Sequence, residues 1–182
     1  DLYVPVNVGG IARWHVRLAS SAVPGAYAGS PVNTGVARYG AGRVLEFDGD
    51  GRRDLLAQGP GSPATWFVHQ SNGTGAFLTA INTGLTTATV PAPLVTDVDG
   101  DGLDDLVYAR DYLVHIRRNT GAGFGPELTT SVGTTINGGA TLLPLLAGAG
   151  GAPDFDGDGR QDLLIRRGTL SLSGPPWYYE GF

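Results

Sequence analysis

The stretch TDVDGDGLDDLVYAR, residues 96–110, puts five carboxylates (Asp97, Asp99, Asp101, Asp104 and Asp105) into nine residues. Side chains at alternate positions of a tight, glycine-bearing loop converge on one point. At about 5 Å and an effective dielectric of about 20, each ionised pair repels by roughly 3 kcal/mol. A hard divalent cation offsets that repulsion. Calcium takes six to eight oxygens in a flexible shell, which alternate carboxylates and one backbone carbonyl supply.

The stretch has two close copies, LEFDGDGRRDLLAQ from Leu45 and PDFDGDGRQDLLIRR from Pro153. All three read acid-x-Asp-Gly-Asp-Gly-x-x-Asp-Leu-apolar. Their first acids, Glu46, Asp97 and Asp154, are 51 and 57 residues apart, and their ninth-position acids, Asp54, Asp105 and Asp162, repeat both spacings. Counting from the first acid, positions 1, 3, 5 and 9 supply side-chain oxygens and position 7 its carbonyl. The three predicted ligand sets are therefore Glu46, Asp48, Asp50, Asp54 and the carbonyl of Arg52; Asp97, Asp99, Asp101, Asp105 and the carbonyl of Leu103; and Asp154, Asp156, Asp158, Asp162 and the carbonyl of Arg160. Glycine at position 6 permits the sharp turn, and glycine at position 4 lets the backbone fold in close. Glu46, one methylene longer than the others, is the weakest of these ligands. About three calcium ions per chain are expected. An EF-hand is excluded: position 12 is Ala57, Tyr108 or Ile165, none of which ligates through its side chain. The flanks are short apolar runs, not amphipathic helices.

Thirty Gly and twelve Pro in 182 residues favour many short strands over long helices. Around each loop the same elements recur. A strand enters (RVLEF, PLVTDV) and a second leaves (DLLAQ, DLVYA). A third follows (ATWFVHQ, YLVHIRR and, earlier, ARWHVRL), then a glycine-rich tip (SNGTGAF, NTGAGFG) and a fourth strand (LTAINTGL, ELTTSV). The second strand is apolar on both faces, as an inner strand sandwiched between neighbours must be. Four antiparallel strands in about fifty residues is the layout of a β-propeller blade. The prediction is an all-β, single repeat-array domain over 1–182: a partial blade 1–40, blades 41–90 and 91–138, and a partial blade 139–182. Asp1-Leu-Tyr-Val lies 53 residues before Asp54 and matches the tail of the motif, and VNTGV at Val32 recurs as INTGL at Ile81. With no Met anywhere, the chain reads as a processed product or a segment of about three and a half repeats from a longer propeller.

These loops, third strands and NTGAGF tips resemble the FG-GAP and VCBS repeats of integrin-alpha N-terminal-like β-propellers, over nearly the whole chain. The combination is also similar to repeats of bacterial RHS proteins and of the B component of Tc-type toxins. The resemblance implies a propeller with calcium in the strand-connecting loops. It also implies a secreted or cell-surface setting and an adhesive or scaffolding role. Glu46 and the irregular stretch INGGATLLPLLAGAGGAP depart from the pattern.

The remaining chemistry is sparse. There is no Cys, so thiolate and disulfide chemistry are excluded, and no G-x-S-x-G, H-E-x-x-H or phosphate loop. The chain is not expected to be an enzyme. A formal charge of −5, without a basic stripe, disfavours nucleic acid, and no apolar run suffices for membrane insertion. His15, His69 and His115 all fall on third strands. Counted from the tip residues Asn72 and Asn119, His69 and His115 face opposite sides and are ordinary sheet histidines. Trp14 and Trp66 read as core, and PPWYYEGF as a third strand. The partner is a protein or glycan, or else the remainder of the propeller or further copies of the chain. Two alternative functions are a carbohydrate-binding module and the shell of an RHS or Tc-type toxin.

Overall fold

A computed structural model describes residues 2–90, 93–111, 113–133, 141–142, 154–163 and 165–166. These residues form strands and turns and no helix, as the glycine and proline load predicts. By contacts the chain divides into two compact units, Asp1–Pro91 with Thr120–Gly123, and Ala92–Asn119 with Phe124–Phe182.

The first unit holds two antiparallel sheets. One is β1 (Leu2–Val8), β2 (Ile11–Arg17) and β3 (Val32–Ala37), in that order. The other is β4 (Gly42–Leu45), β5 (Asp54–Gln58), β6 (Thr65–His69) and β7 (Ile81–Thr86), again in sequence order. The acidic loop 46–54 joins β4 to β5. Asp54, Leu55, Leu56 and Ala57 are all buried, so β5 is covered on both faces, which explains its unbroken apolar run. Trp66 is fully buried, and its indole N–H donates to the Val90 carbonyl at 2.9 Å. The two sheets touch where Gly42 faces Trp14. A Cβ at Gly42 would sit 2.7 Å from the Trp14 ring, so any side chain there would displace the ring. Trp14 is half-buried, with the Arg38 guanidinium 5.6 Å from its ring centre.

The second unit repeats the four-stranded sheet with β8 (Leu94–Thr96), β9 (Asp105–Arg110), β10 (Leu113–Asn119) and β11 (Phe124–Gly133). Its register reproduces that of the first: Leu45 pairs with Asp54 and Val44 with Leu55, while Thr96 pairs with Asp105 and Val95 with Leu106. Two further short strands, β12 (Thr141–Leu142) and β13 (Ile165–Arg166), pair antiparallel. The predicted third strand at PPWYYEGF lies outside the described residues.

Register also aligns the three-stranded sheet. Leu2 pairs with Arg17, Leu55 with His69 and Leu106 with Arg117, so β1 is the counterpart of β5 and β9. Among the described residues no strand pairs with the outer edge of β1, where the other sheets carry β4 or β8. Leu2 is accordingly 42% exposed, against 1% for Leu55 and 0% for Leu106.

The same alignment corrects the histidine count. His69 matches Arg117, two residues from His115, so the two histidines share a face parity. The tip asparagines are not equivalent. The amide that closes onto the ninth-position acid comes from Ser71 in one sheet and from Asn119 in the other. Counting from Asn72 was therefore one residue out.

Candidate metal centres

Each acidic loop is held by the same backbone bonds. The first acid accepts the N–H of the position-4 glycine: Gly49 to Glu46 at 3.1 Å, Gly100 to Asp97 at 2.8 Å, Gly157 to Asp154 at 2.7 Å. Asp97 and Asp154 also accept the position-6 amides of Gly102 and Gly159, both at 2.9 Å. The position-5 acid accepts the position-7 N–H at 2.8 Å in all three loops, from Arg52, Leu103 and Arg160. The six glycines at positions 4 and 6 have φ between 78° and 88°, a left-handed conformation that other residues adopt only under strain. Alternation of left-handed glycine with aspartate turns the carboxylates to one side.

Three groups of acidic side chains result, each with one ligand atom per residue within 4.8 Å of the others: Glu46, Asp48 and Asp50; Asp97, Asp99 and Asp101; Asp154, Asp156 and Asp162. Asp54, Asp105 and Asp158 are not in these groups. Counter-charge is local. Asp50 is paired with Arg52, Asp99 with Arg118 at 3.3 Å and Asp158 with Arg160 at 3.4 Å, while Asp48 accepts from the Gln70 amide at 2.8 Å. Asp99 Oδ1 is nonetheless buried without a hydrogen-bond donor. A buried carboxylate oxygen in that state is costly, and a divalent cation would satisfy it. The donor set, carboxylates only, fits a hard oxygen-seeking ion such as calcium.

The ninth-position acids have a second task that spacing did not show. Asp54 is fully buried; its Oδ2 accepts the Phe47 N–H at 3.2 Å and its Oδ1 the Ser71 N–H at 2.7 Å. Asp105, also fully buried, does the same with Val98 at 3.1 Å and Asn119 at 2.7 Å. Asp162 accepts the Phe155 N–H at 2.6 Å. Each thus ties the start of its loop to the loop's end, and in the two complete sheets also to the backbone at or just past the end of the third strand. The spare lone pairs still permit ligation.

Burial, opposed by those backbone donors and reinforced by neighbouring aspartates, raises Asp54 and Asp105 each to about 6. Burial likewise raises Glu46. A carboxyl whose folded pKa is raised favours the folded state when protonated. Its contribution is complete below about pH 4 and is lost as pH rises through about 6. In metal-stripped protein, carboxyl carbon-13 titrations of Asp54 and Asp105 are therefore expected to show midpoints near 6, falling when calcium is added. Midpoints near 4 without metal would contradict this.

One polar cluster was not visible in the sequence. Glu127, far from the loops in the chain, accepts from the Tyr108 hydroxyl and from Arg110, both at 2.5 Å, and lies 3.1 Å from His115 Nδ1. Burial raises Glu127, but Tyr108 and Arg110 outweigh it and hold the carboxyl below its usual range. Three adjacent strands in register bring these residues together. A position-by-position reading of β9, β10 and β11 would have found them.

Four-stranded antiparallel sheets, each with an acidic loop between its first and second strands, define a repeat protein built of β-propeller-type blades. The sequence model of the FG-GAP-like repeat matches twice, at residues 47–108 and 97–165, and the chain belongs to that family. Searches of curated proteins and of solved structures found no match. No helix among the described residues is long and apolar enough to cross a membrane.

Proposed function

We propose that this chain is a calcium-stabilised propeller segment with a structural, protein-binding role in a secreted or surface protein, and that it is not a catalyst. The observation that carries the calcium assignment is the threefold recurrence of one loop geometry, with Asp99 Oδ1 buried and lacking a donor. Glu46, Asp48 and Asp50, Asp97, Asp99 and Asp101, and Asp154, Asp156 and Asp162 would hold the ions. Asp54, Asp105 and Asp158 and the carbonyls of Arg52, Leu103 and Arg160 would complete the shells. Bound calcium supplies charge neutralisation. The chain's own bonds position the carboxylates and fasten each loop to its sheet.

The outer edge of β1 supports a further part of the proposal, that a strand from the rest of the propeller or from another copy pairs there. The extracellular setting rests on the family, whose repeats are often extracellular. The toxin-shell alternative differs only in what the propeller encloses.

Elemental analysis of the purified protein tests the calcium assignment. About three calcium per chain are expected, falling to about two in Asp99→Asn. Metal-free protein after dialysis against millimolar calcium would reject it.

A further inference from the structure

We propose that Gln161 couples the loop 97–105 to the loop 154–162, so that the two cation sites fill together. This rests on the calcium assignment and adds to it an interaction between sites. Gln161 occupies position 8 of its own loop, between the position-7 carbonyl of Arg160 and the ninth-position acid Asp162. Its side-chain Oε1 accepts from the Thr96 hydroxyl at 2.7 Å and from the Asp97 N–H at 2.8 Å. Its own backbone N–H donates to the Asp97 carbonyl at 2.9 Å. One residue of the third loop therefore holds both backbone polar groups of Asp97, the first acid of the second loop.

The loops also meet backbone to backbone. A Cβ at Gly100 would lie 3.3 Å from the Gly159 carbonyl oxygen and 3.3 Å from Arg160 Cγ. Position 8 of the other loops serves differently. The Arg53 carbonyl accepts from the Tyr3 hydroxyl at 2.7 Å, and the Asp104 carbonyl from the Asn119 side chain at 3.1 Å.

The consequence for binding is positive coupling. A cation in the loop 154–162 fixes Arg160 and Asp162, hence Gln161 between them, hence the backbone that aims the Asp97 carboxylate. Ordering already accomplished at one site need not be repeated at the other, and the effect is reciprocal. Direct repulsion between the two cations would give the opposite sign.

Gly102 and Gly159 are separate reporters, since each donates its amide to the first acid of its own loop. Their amide resonances are followed during calcium titration of the full chain. In the unsubstituted protein the two midpoints are expected to coincide. Asp156→Asn is expected to raise the Gly102 midpoint about fivefold, and to raise it clearly less once Gln161→Met is also present, since that substitution removes the side-chain acceptor and leaves the backbone bond to the Asp97 carbonyl. Gln161→Glu, which retains an acceptor for Thr96 and Asp97, is expected to keep the coupling. The proposal is overturned if Asp156→Asn leaves the Gly102 midpoint unchanged or lowers it. An equal rise with and without Gln161→Met also overturns it, as does loss of coupling in the Glu variant. Resonances that ignore calcium altogether would reject the calcium assignment and the coupling with it, whereas independent midpoints would reject the coupling alone.

Discussion

Chelation of calcium is expected to lower the melting temperature of the calcium-loaded protein by more than about 10 °C. Each site filled at about a thousand times its Kd adds roughly 4 kcal/mol, and about 1 kcal/mol moves the transition of a chain this size by about 2–4 °C. Without the ion, each loop keeps its like charges together, offset by backbone N–H donors and by neighbouring arginine and glutamine side chains. Asp99→Ala separates the electrostatic contribution from the packing. In calcium it should melt lower, because one site is lost. In chelator it should differ little, because the substitution removes a repelling charge and a buried oxygen that had no donor. Calorimetry in both conditions checks this, and equal shifts in the two would count against a cation at that loop.

Asp54→Ala and Asp105→Ala are expected to behave differently. Each removes two acceptors, one from a buried and one from a part-buried backbone N–H group. An orphaned buried donor costs about 1–3 kcal/mol, so each variant should lose at least about 1–3 kcal/mol, with calcium or without it. Urea unfolding in chelator is the decisive measurement. If the ninth-position acids served only as ligands, their loss would be silent there. Asn in place of Asp keeps one acceptor and should fall between the two. Together the two experiments divide each loop into positions that act through the ion and a position that acts through the backbone.

The acid template, its spacing and the apolar runs after it were enough to place β4, β5 and β6, and β8, β9 and β10. Turn chemistry and alternation are local properties, and calcium-type loops need glycine at fixed offsets, so a linear reading recovers them. It also recovered the family, whose model matches twice, each time from one acidic loop through to the next. What the chain could not show is anything set by contacts across strands. Phe47 and Phe155 hold the same loop position, yet one is fully buried and the other 69% exposed, since burial depends on what packs above the loop. Asp54 and Asp105 looked like further ligands. That they also latch Ser71 and Asn119 depends on the register of a strand 14–17 residues away. Glu127 lies far from the acidic loops in the chain, and three paired strands set it against Tyr108, Arg110 and His115. Gln161 stands at a position that the acid template leaves unspecified. Its grip on Thr96 and Asp97 spans 65 and 64 residues. Loop closure over that distance leaves no local trace in composition or period, so only the folded arrangement identifies the contact.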